Sequence, residues 1–148
     1  MSNSHVAPVA ITFNHSIPVQ LRFNDIDALG HVNNNVYLQF FDLGKYDYFK
    51  QVMGADFDLK TLAVVVVNIN CDFMAPAFID EPLEVRTATS RIGDKSITLV
   101  QQIVNRETGQ IKCQGTTVMA SFDIATGKSA PINSGARAAV AEFERHDF

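Results

Sequence analysis

The chain predicts an α+β fold in which an antiparallel sheet of about five strands wraps around one long central helix. Three features of the sequence lead there. Residues 34–53 carry apolar and aromatic side chains at helical spacing, with Tyr37, Phe41, Gly44 and Tyr48 on one stripe and Val36, Phe40 and Leu43 on another. From Leu62 onward the sequence divides into β-branched or alternating runs separated by glycine-containing turns. One short apolar run, residues 19–23, precedes the helix. Strands grouped after a single helix, instead of alternating with helices, indicate a segregated α+β arrangement.

In chain order, residues 1–16 are polar and irregular and are expected to form a partly ordered tail, with 17–148 a single domain. Residues 17–23 read as the first strand. If the chain stays extended beyond it, Asp25 and Asp27 share one side, because side chains alternate along an extended segment. The asparagines at 33–35 then fall where a helix N-cap is needed. The helix over about 34–53 would be roughly 30 Å long at about 1.5 Å per residue. Its few polar residues, Asp42, Lys45, Asp47 and Lys50, predict burial on most sides, and Gly54 suits its C-terminal stop. Residues 62–67 are continuous and largely β-branched, the pattern of an inner strand, and lead into 68–73. Residues 82–91 alternate; Gly93-Asp94 turns them into 96–105, and Gly109 turns those into 110–123. A short helix over about 135–144 closes the chain.

Composition excludes several functions. At 148 residues the chain is long enough for one sizeable core. Its net charge of −4 argues against a nucleic-acid partner. The longest apolar run, residues 62–67, is far too short to span a bilayer, and no secretory leader is recognisable. Cys71 and Cys113 form no C-x-x-C pair and are expected to be reduced core thiols in a cytoplasmic setting. The histidines at 5, 15, 31 and 146 lack metal-ligand spacing, and phosphate-loop, dinucleotide and nucleophile-elbow signatures are missing. Neither a metal nor a cofactor is expected.

The chemistry concentrates in the stretch Asp27-Ala-Leu-Gly-His31-Val-Asn-Asn34. Carboxylates at Asp25 and Asp27, a permissive Gly30, the His31 imidazole and a helix N-terminus share one small volume. The same residue types also make an ordinary strand–turn–helix connection. Residue types and spacing therefore leave a structural and a catalytic reading open. A second feature is a basic group at Arg86, Arg91, Lys95, Arg106 and Lys112, which fits either a solvated sheet face or a phosphate-binding surface.

The order of elements, with Asp-x-x-Gly-His-Val-Asn-Asn at the start of the helix, resembles the hot-dog fold of the 4-hydroxybenzoyl-CoA thioesterase superfamily over about residues 17–132. Asp27 to Asn34 followed by Tyr37, with the later run from Val65 through Val67 and Asn68 to Asn70, is most similar to bacterial long-chain acyl-CoA thioesterases. The resemblance implies an acyl-CoA thioesterase acting on medium to long chains. It makes Asp27 the catalytic carboxylate, acting as general base or nucleophile. The N–H at Asn34 becomes the oxyanion donor, and His31 a hydrogen-bonding partner of the carbonyl or water. Tyr37, Val67 and Asn68 become substrate contacts, and Lys95 and Ser96 a pair near the CoA phosphates. Plant acyl-carrier-protein thioesterases, which share the pattern, carry a catalytic asparagine two residues after the aspartate; here that residue is Leu29. Relatives dimerise, often as pairs of dimers, so a homodimer or homotetramer is implied. Two other hot-dog activities compete: a hydroxyacyl-thioester dehydratase and a non-catalytic acyl-thioester-binding protein.

The chemistry agrees with a thioesterase. A thiolate with a pKa near about 8.5 departs readily. A positioned carboxylate and helix N–H donors for the oxyanion then cover the remaining needs.

Overall fold

The computed structural model describes residues 6–148; residues 1–5, including His5 and the start of the expected tail, lie outside the described residues. Helix α1, Asn34–Met53, dominates it. Asn33 is its N-cap, with a side-chain oxygen that accepts the Asn35 N–H at 3.4 Å. Gly54 ends it at φ 77°, a conformation glycine adopts at little cost. Five strands follow the order β1-β3-β4-β5-β2 in one sheet: β1 His15–Pro18, β2 Val64–Phe73, β3 Leu83–Ile92, β4 Ser96–Asn105 and β5 Ile111–Ser121. Every neighbouring pair is antiparallel. A helical turn, α2 (Leu59–Leu62), leads into β2, and α3 (Ser134–Glu144) closes the chain.

Helix and sheet share two apolar clusters. Towards the helix N-terminus, Val36, Tyr37, Phe40 and Phe41 pack with Leu83, Val85, Ile103 and Cys113. Towards its C-terminus, Tyr48 and Phe49 pack with Ile97, Leu99, Met119 and Val140. Gly44 lies between them, where a Cβ would stand 2.9 Å from both Val85 methyls. Close approach of the helix to the sheet requires a residue without a side chain. Beside it the buried Gln101 amide donates to the Phe41 carbonyl at 2.9 Å and to Thr87 Oγ1 at 3.0 Å.

Several expectations are corrected. The first strand is His15–Pro18, earlier than residues 17–23, and pairs only with β3. Phe23–Asp25 instead closes a 3-10 turn, in which the Asp25 carboxylate accepts the Arg22 N–H at 2.8 Å and its guanidinium at 3.2 Å. Asp25 is therefore buried inside a turn and does not share an extended edge with Asp27. Strand β2 is an edge strand and not an inner one, with Val65 51% and Val67 59% exposed. Its β-branched composition favours extended backbone, but which neighbours it gains is decided by long-range pairing. Leu62 belongs to α2, not to the strand. Helix α1 is covered on one face only: Val36 and Phe40 are buried, but Leu43 and Tyr46 are about half exposed, at 49% and 48%. Part of the expected tail is held, since Val9 N–H donates to Gln114 Oε1 at 2.9 Å.

Candidate active site

Residues 26–32 form a tight loop before α1. Ile26 and Val32 make an isolated antiparallel bridge at its neck. Within it, Asp27 N–H donates to the His31 carbonyl at 2.8 Å and Gly30 N–H to the Asp27 carbonyl at 3.0 Å. Gly30 sits at φ 81°, which a Cβ would strain. The Asp27 carboxylate completes the loop: its Oδ1 accepts the N–H of Leu29 at 2.9 Å and of His31 at 3.2 Å. Two backbone donors thus hold one oxygen and orient the whole group. Asn33 N–H bonds the Asp25 carbonyl and Val32 N–H the Ala77 carbonyl, both at 2.8 Å. Asp25 is the structural carboxylate of the pair.

The loop opens onto a cleft of about 350 Å³. Asp27, His31, Asn34 and Tyr37 line it from the loop and α1, and Phe73, Ala75 and Pro76 from the end of β2 and the segment after it. Asn34 is the first helical residue, and N–H groups of a first turn have no acceptor within the helix and carry partial positive charge. The His31 ring meets Phe78 edge-on at 5.2 Å. Tyr37 is buried and its ring leans on Phe73 at 5.7 Å. Burial pushes its phenol well above the ordinary range, so the hydroxyl stays neutral. A larger hollow of about 590 Å³ lies between residues 9–12 and the C-terminal residues. Its carboxylate, Glu144, is already engaged by the Tyr48 hydroxyl at 2.6 Å and the Thr89 N–H at 3.0 Å. The smaller cleft is the one where a carboxylate, an imidazole and a helix N-terminus meet.

Four of the expected site residues, Asp27, His31, Asn34 and Tyr37, come together there. The other four do not. Val67 is the extra residue of a bulge between Val66 and Asn68, and both Val67 and Asn68 lie mid-way along the exposed β2 edge. Lys95 and Ser96 lie at the β3–β4 turn, where the Lys95 carbonyl accepts the Ser121 N–H at 2.8 Å. Ser121 pairs with Val64, at the far end of β2 from Phe73. The ten-residue strand sets its two ends roughly 30 Å apart at about 3.3 Å per residue. The basic group is not one surface either. Arg86 is paired with Glu84 at 2.8 Å, and the buried Lys112 ammonium bonds Glu81 at 2.6 Å and the Pro76 carbonyl at 3.0 Å.

Lys112, read from the sequence as part of a basic group on a solvated or phosphate-binding face, is instead a buried partner of Glu81. Burial alone would raise the Glu81 pKa, but hydrogen bonds from Lys112 and Asn105 bring it below the ordinary carboxylate value. The pair anchors the segment that carries Pro76 and Phe78 against the cleft. The available signal was a lone lysine between Ile111 and Cys113, a charge in an apolar run that has to find a partner. Among the described residues no group of three or more His, Cys, Asp or Glu is placed to hold a metal ion.

Residues 21–140 match the thioesterase-like superfamily. The chain belongs to that superfamily. Within it, the chain is 28% identical over 114 residues to the long-chain acyl-CoA thioesterase FadM of Escherichia coli (strain K12), an alignment covering 75% of this chain and 85% of FadM. It is 30% identical over 111 residues to the uncharacterized YsmA of Bacillus subtilis (strain 168), covering 75% and 74%. A thioesterase from Thermus thermophilus, solved with coenzyme A and zinc, superposes with a TM-score of 0.81 at 26% identity, covering 92% of this chain and 98% of that one. This thioesterase-like chain therefore has the hot-dog fold, with α1 as the helix against which the sheet is laid.

Proposed function

We propose that the protein hydrolyses a medium- to long-chain fatty acyl-CoA to the free acid and CoA, with Asp27 as the catalytic carboxylate. The observation that carries this reading is the meeting of an oriented Asp27 carboxylate with the N-terminus of α1 in one cleft. With Oδ1 held by the loop, Oδ2 is the oxygen that faces a water or the thioester carbon. As general base it takes a proton from the attacking water; as nucleophile it attacks directly and water then releases the acid. In either course the carbonyl oxygen gains charge beside the Asn34 N–H, where the helix terminus stabilises it. His31 hydrogen-bonds the carbonyl or the water, and CoA leaves as its thiolate. Tyr37 and Phe73 give the cleft an apolar wall suited to the acyl chain.

The active form is a homodimer or a homotetramer built from it. Exposed Val65, Val67 and Ile69 along an unpaired strand edge call for a cover. Antiparallel pairing of β2 with its own copy supplies one and puts Val67 and Asn68 at the interface. It also lays the partner's Val64 end beside this chain's Phe73 end. The partner's Lys95 and Ser96 then lie at the cleft's end of the joined sheet, within reach of a long CoA moiety. The free thiols at Cys71 and Cys113 suit a cytoplasmic location.

The test is thiol release from an acyl-CoA series of increasing chain length, with an aromatic acyl-CoA included. Turnover rising with chain length and lost in Asp27→Asn is expected. Acyl-CoA binding without thiol release by the wild type, or release that persists in a folded Asp27→Asn protein, would overturn the assignment. Light scattering tests the assembly, and a fully active monomer at micromolar concentration contradicts it.

A further inference from the structure

We propose that Cys71 and Cys113 form a redox modification site, a dithiol that a hydroperoxide converts to a cross-strand disulfide between β2 and β5 beside the cleft. The inference does not depend on the thioesterase reading.

The placement comes from strand register. Cys71 is opposite Gly115, and Cys113 is opposite Phe73, so the two cysteines are diagonal neighbours on one face of adjacent strands. Their sulfurs lie 3.0 Å apart. Gly115 explains how they meet. A Cβ there would stand 2.6 Å from the Phe41 ring and 3.1 Å from the Asn70 carbonyl, so the position has no side chain. The Phe41 ring fills the place of a side chain opposite Cys71, and the Cys71 thiol meets Cys113 on the diagonal instead.

The two thiols differ in access, as a reactive and a resolving cysteine do. Cys113 is fully buried within the cluster of Tyr37, Phe41 and Ile103, whereas Cys71 is half-buried on an edge strand. The hydrogen bond from Cys113 lowers the Cys71 thiol below its ordinary value, against the effects of burial and Asp72. The same hydrogen bond and burial push the Cys113 thiol far up. Cys71 is thus the thiolate that a small oxidant meets first.

The reaction balances with one peroxide. The Cys71 thiolate attacks a peroxide oxygen and becomes a sulfenic acid, while the leaving hydroxide takes up the proton Cys71 gave up and becomes water. The Cys113 thiol then displaces the sulfenic hydroxyl; the S–S bond forms and a second water leaves. Two thiols are oxidised and one peroxide is reduced. The sulfurs must close from 3.0 Å to about 2.05 Å. Within one chain, among the described residues, β2 pairs only with β5, so the bond joins it to its one intrachain neighbour. Phe73, two residues beyond Cys71, is part of the cleft wall, which the new bond ties to β5.

The full-length, reduced protein is treated with hydrogen peroxide and then alkylated. The expected product has lost two hydrogens, takes no alkyl label, yields a linked Cys71–Cys113 peptide and reverts with dithiothreitol. In Cys113→Ser the reaction stops at a Cys71 sulfenic acid that dimedone traps; in Cys71→Ser, Cys113 stays unmodified at the same dose. Circular dichroism checks that both variants fold, and the wild-type peptide map decides alone if they do not. The proposal is overturned if both thiols still alkylate after peroxide. It is equally overturned if Cys71 over-oxidises without linking, or links between two chains.

Discussion

The two ends of α1 hold similar residues and use them in opposite ways. At the C-terminal end, the buried Tyr48 hydroxyl is shared between Thr89 Oγ1 at 2.7 Å and Glu144 at 2.6 Å. Glu144 also takes the Thr89 N–H next to the irregularity in β3. Close by, buried His15 pairs with Asp47 at 2.8 Å. Burial first, and then Glu144, push the Tyr48 phenol far above its ordinary range, so it remains a neutral donor. Acid, imidazole and phenol are all present, yet Tyr48 and Glu144 bond each other and His15 Nε2 is taken by Asp47, while His15 Nδ1 is buried without a partner among the described residues. At the N-terminal end the backbone holds one oxygen of Asp27, and Asp27, His31 and the first helical residue, Asn34, line a cleft together. Residue type does not separate the two ends; what separates them is the helix terminus, since only the N-terminal cleft sets a carboxylate beside first-turn N–H groups that have no acceptor within the helix.

Asp27→Asn should break this contrast most sharply. It keeps the acceptor for Leu29 and His31 while removing the base or nucleophile, and kcat for thioester hydrolysis should fall about 10²-fold or more. KM should move much less, because the role proposed for the carboxylate is at the reacting carbon. Asp25→Asn should cost stability before activity. Turnover abolished in Asp25→Asn but kept in a folded Asp27→Asn enzyme would reverse the assignment.

At mid-helix the effect moves from rate to stability. Gly44→Ala forces a methyl against the Val85 side chain and should destabilise by about 1–3 kcal/mol in urea unfolding. At the C-terminal end, Tyr48→Phe leaves Glu144 without its phenol and should cost about 1–3 kcal/mol, with kcat unchanged. A large fall in kcat there would mean that the two ends are not functionally separate.

Acid should expose the anchoring pair. The folded pKa of Glu81 lies below its unfolded value, so its contribution is present above the unfolded pKa of about 4.3 and is lost as pH falls through the lower folded value. Stability followed against pH in Glu81→Gln should lack that acid limb. The smallest effect is expected from Lys95→Ala: a rise in acyl-CoA KM that weakens with added salt, at constant kcat. An unchanged KM at low salt would place phosphate binding elsewhere.

What could be read from the sequence was local. The aromatic stripes gave α1 to the residue, Asn33 its cap and Gly54 its stop, because helical spacing and capping depend on near neighbours. The turns at Gly93 and Gly109 fixed the hairpins for the same reason. The cleft's Asp27, His31, Asn34 and Tyr37 fall within eleven consecutive positions, where the resemblance to the thioesterase motif, and not spacing alone, marked them out. Long-range pairing was not legible. Nothing in residues 64–67 says that β2 ends up at an edge, or that Lys95 lies at the other end of the sheet from Asp27. The Asp25 turn was missed because a side-chain acceptor three residues on from Arg22, not strand propensity, sets the backbone there.

Gln101 has a reach beyond its own packing. Its amide holds the Phe41 carbonyl in the middle of α1, while Gly44 lets that part of the helix rest on Val85. Together they work as a key in a slot, fixing how far the helix has slid along its axis and how far it has rolled. Asn34 lies seven residues away, about 10 Å at about 1.5 Å per residue, so the depth of its N–H in the cleft is set from a point the substrate never touches. A one-residue slip of α1 that brought Lys45 to the place of Gly44 would push the proposed oxyanion donor about 1.5 Å further into the cleft, so the core admits a single alignment in which the cleft is correctly built.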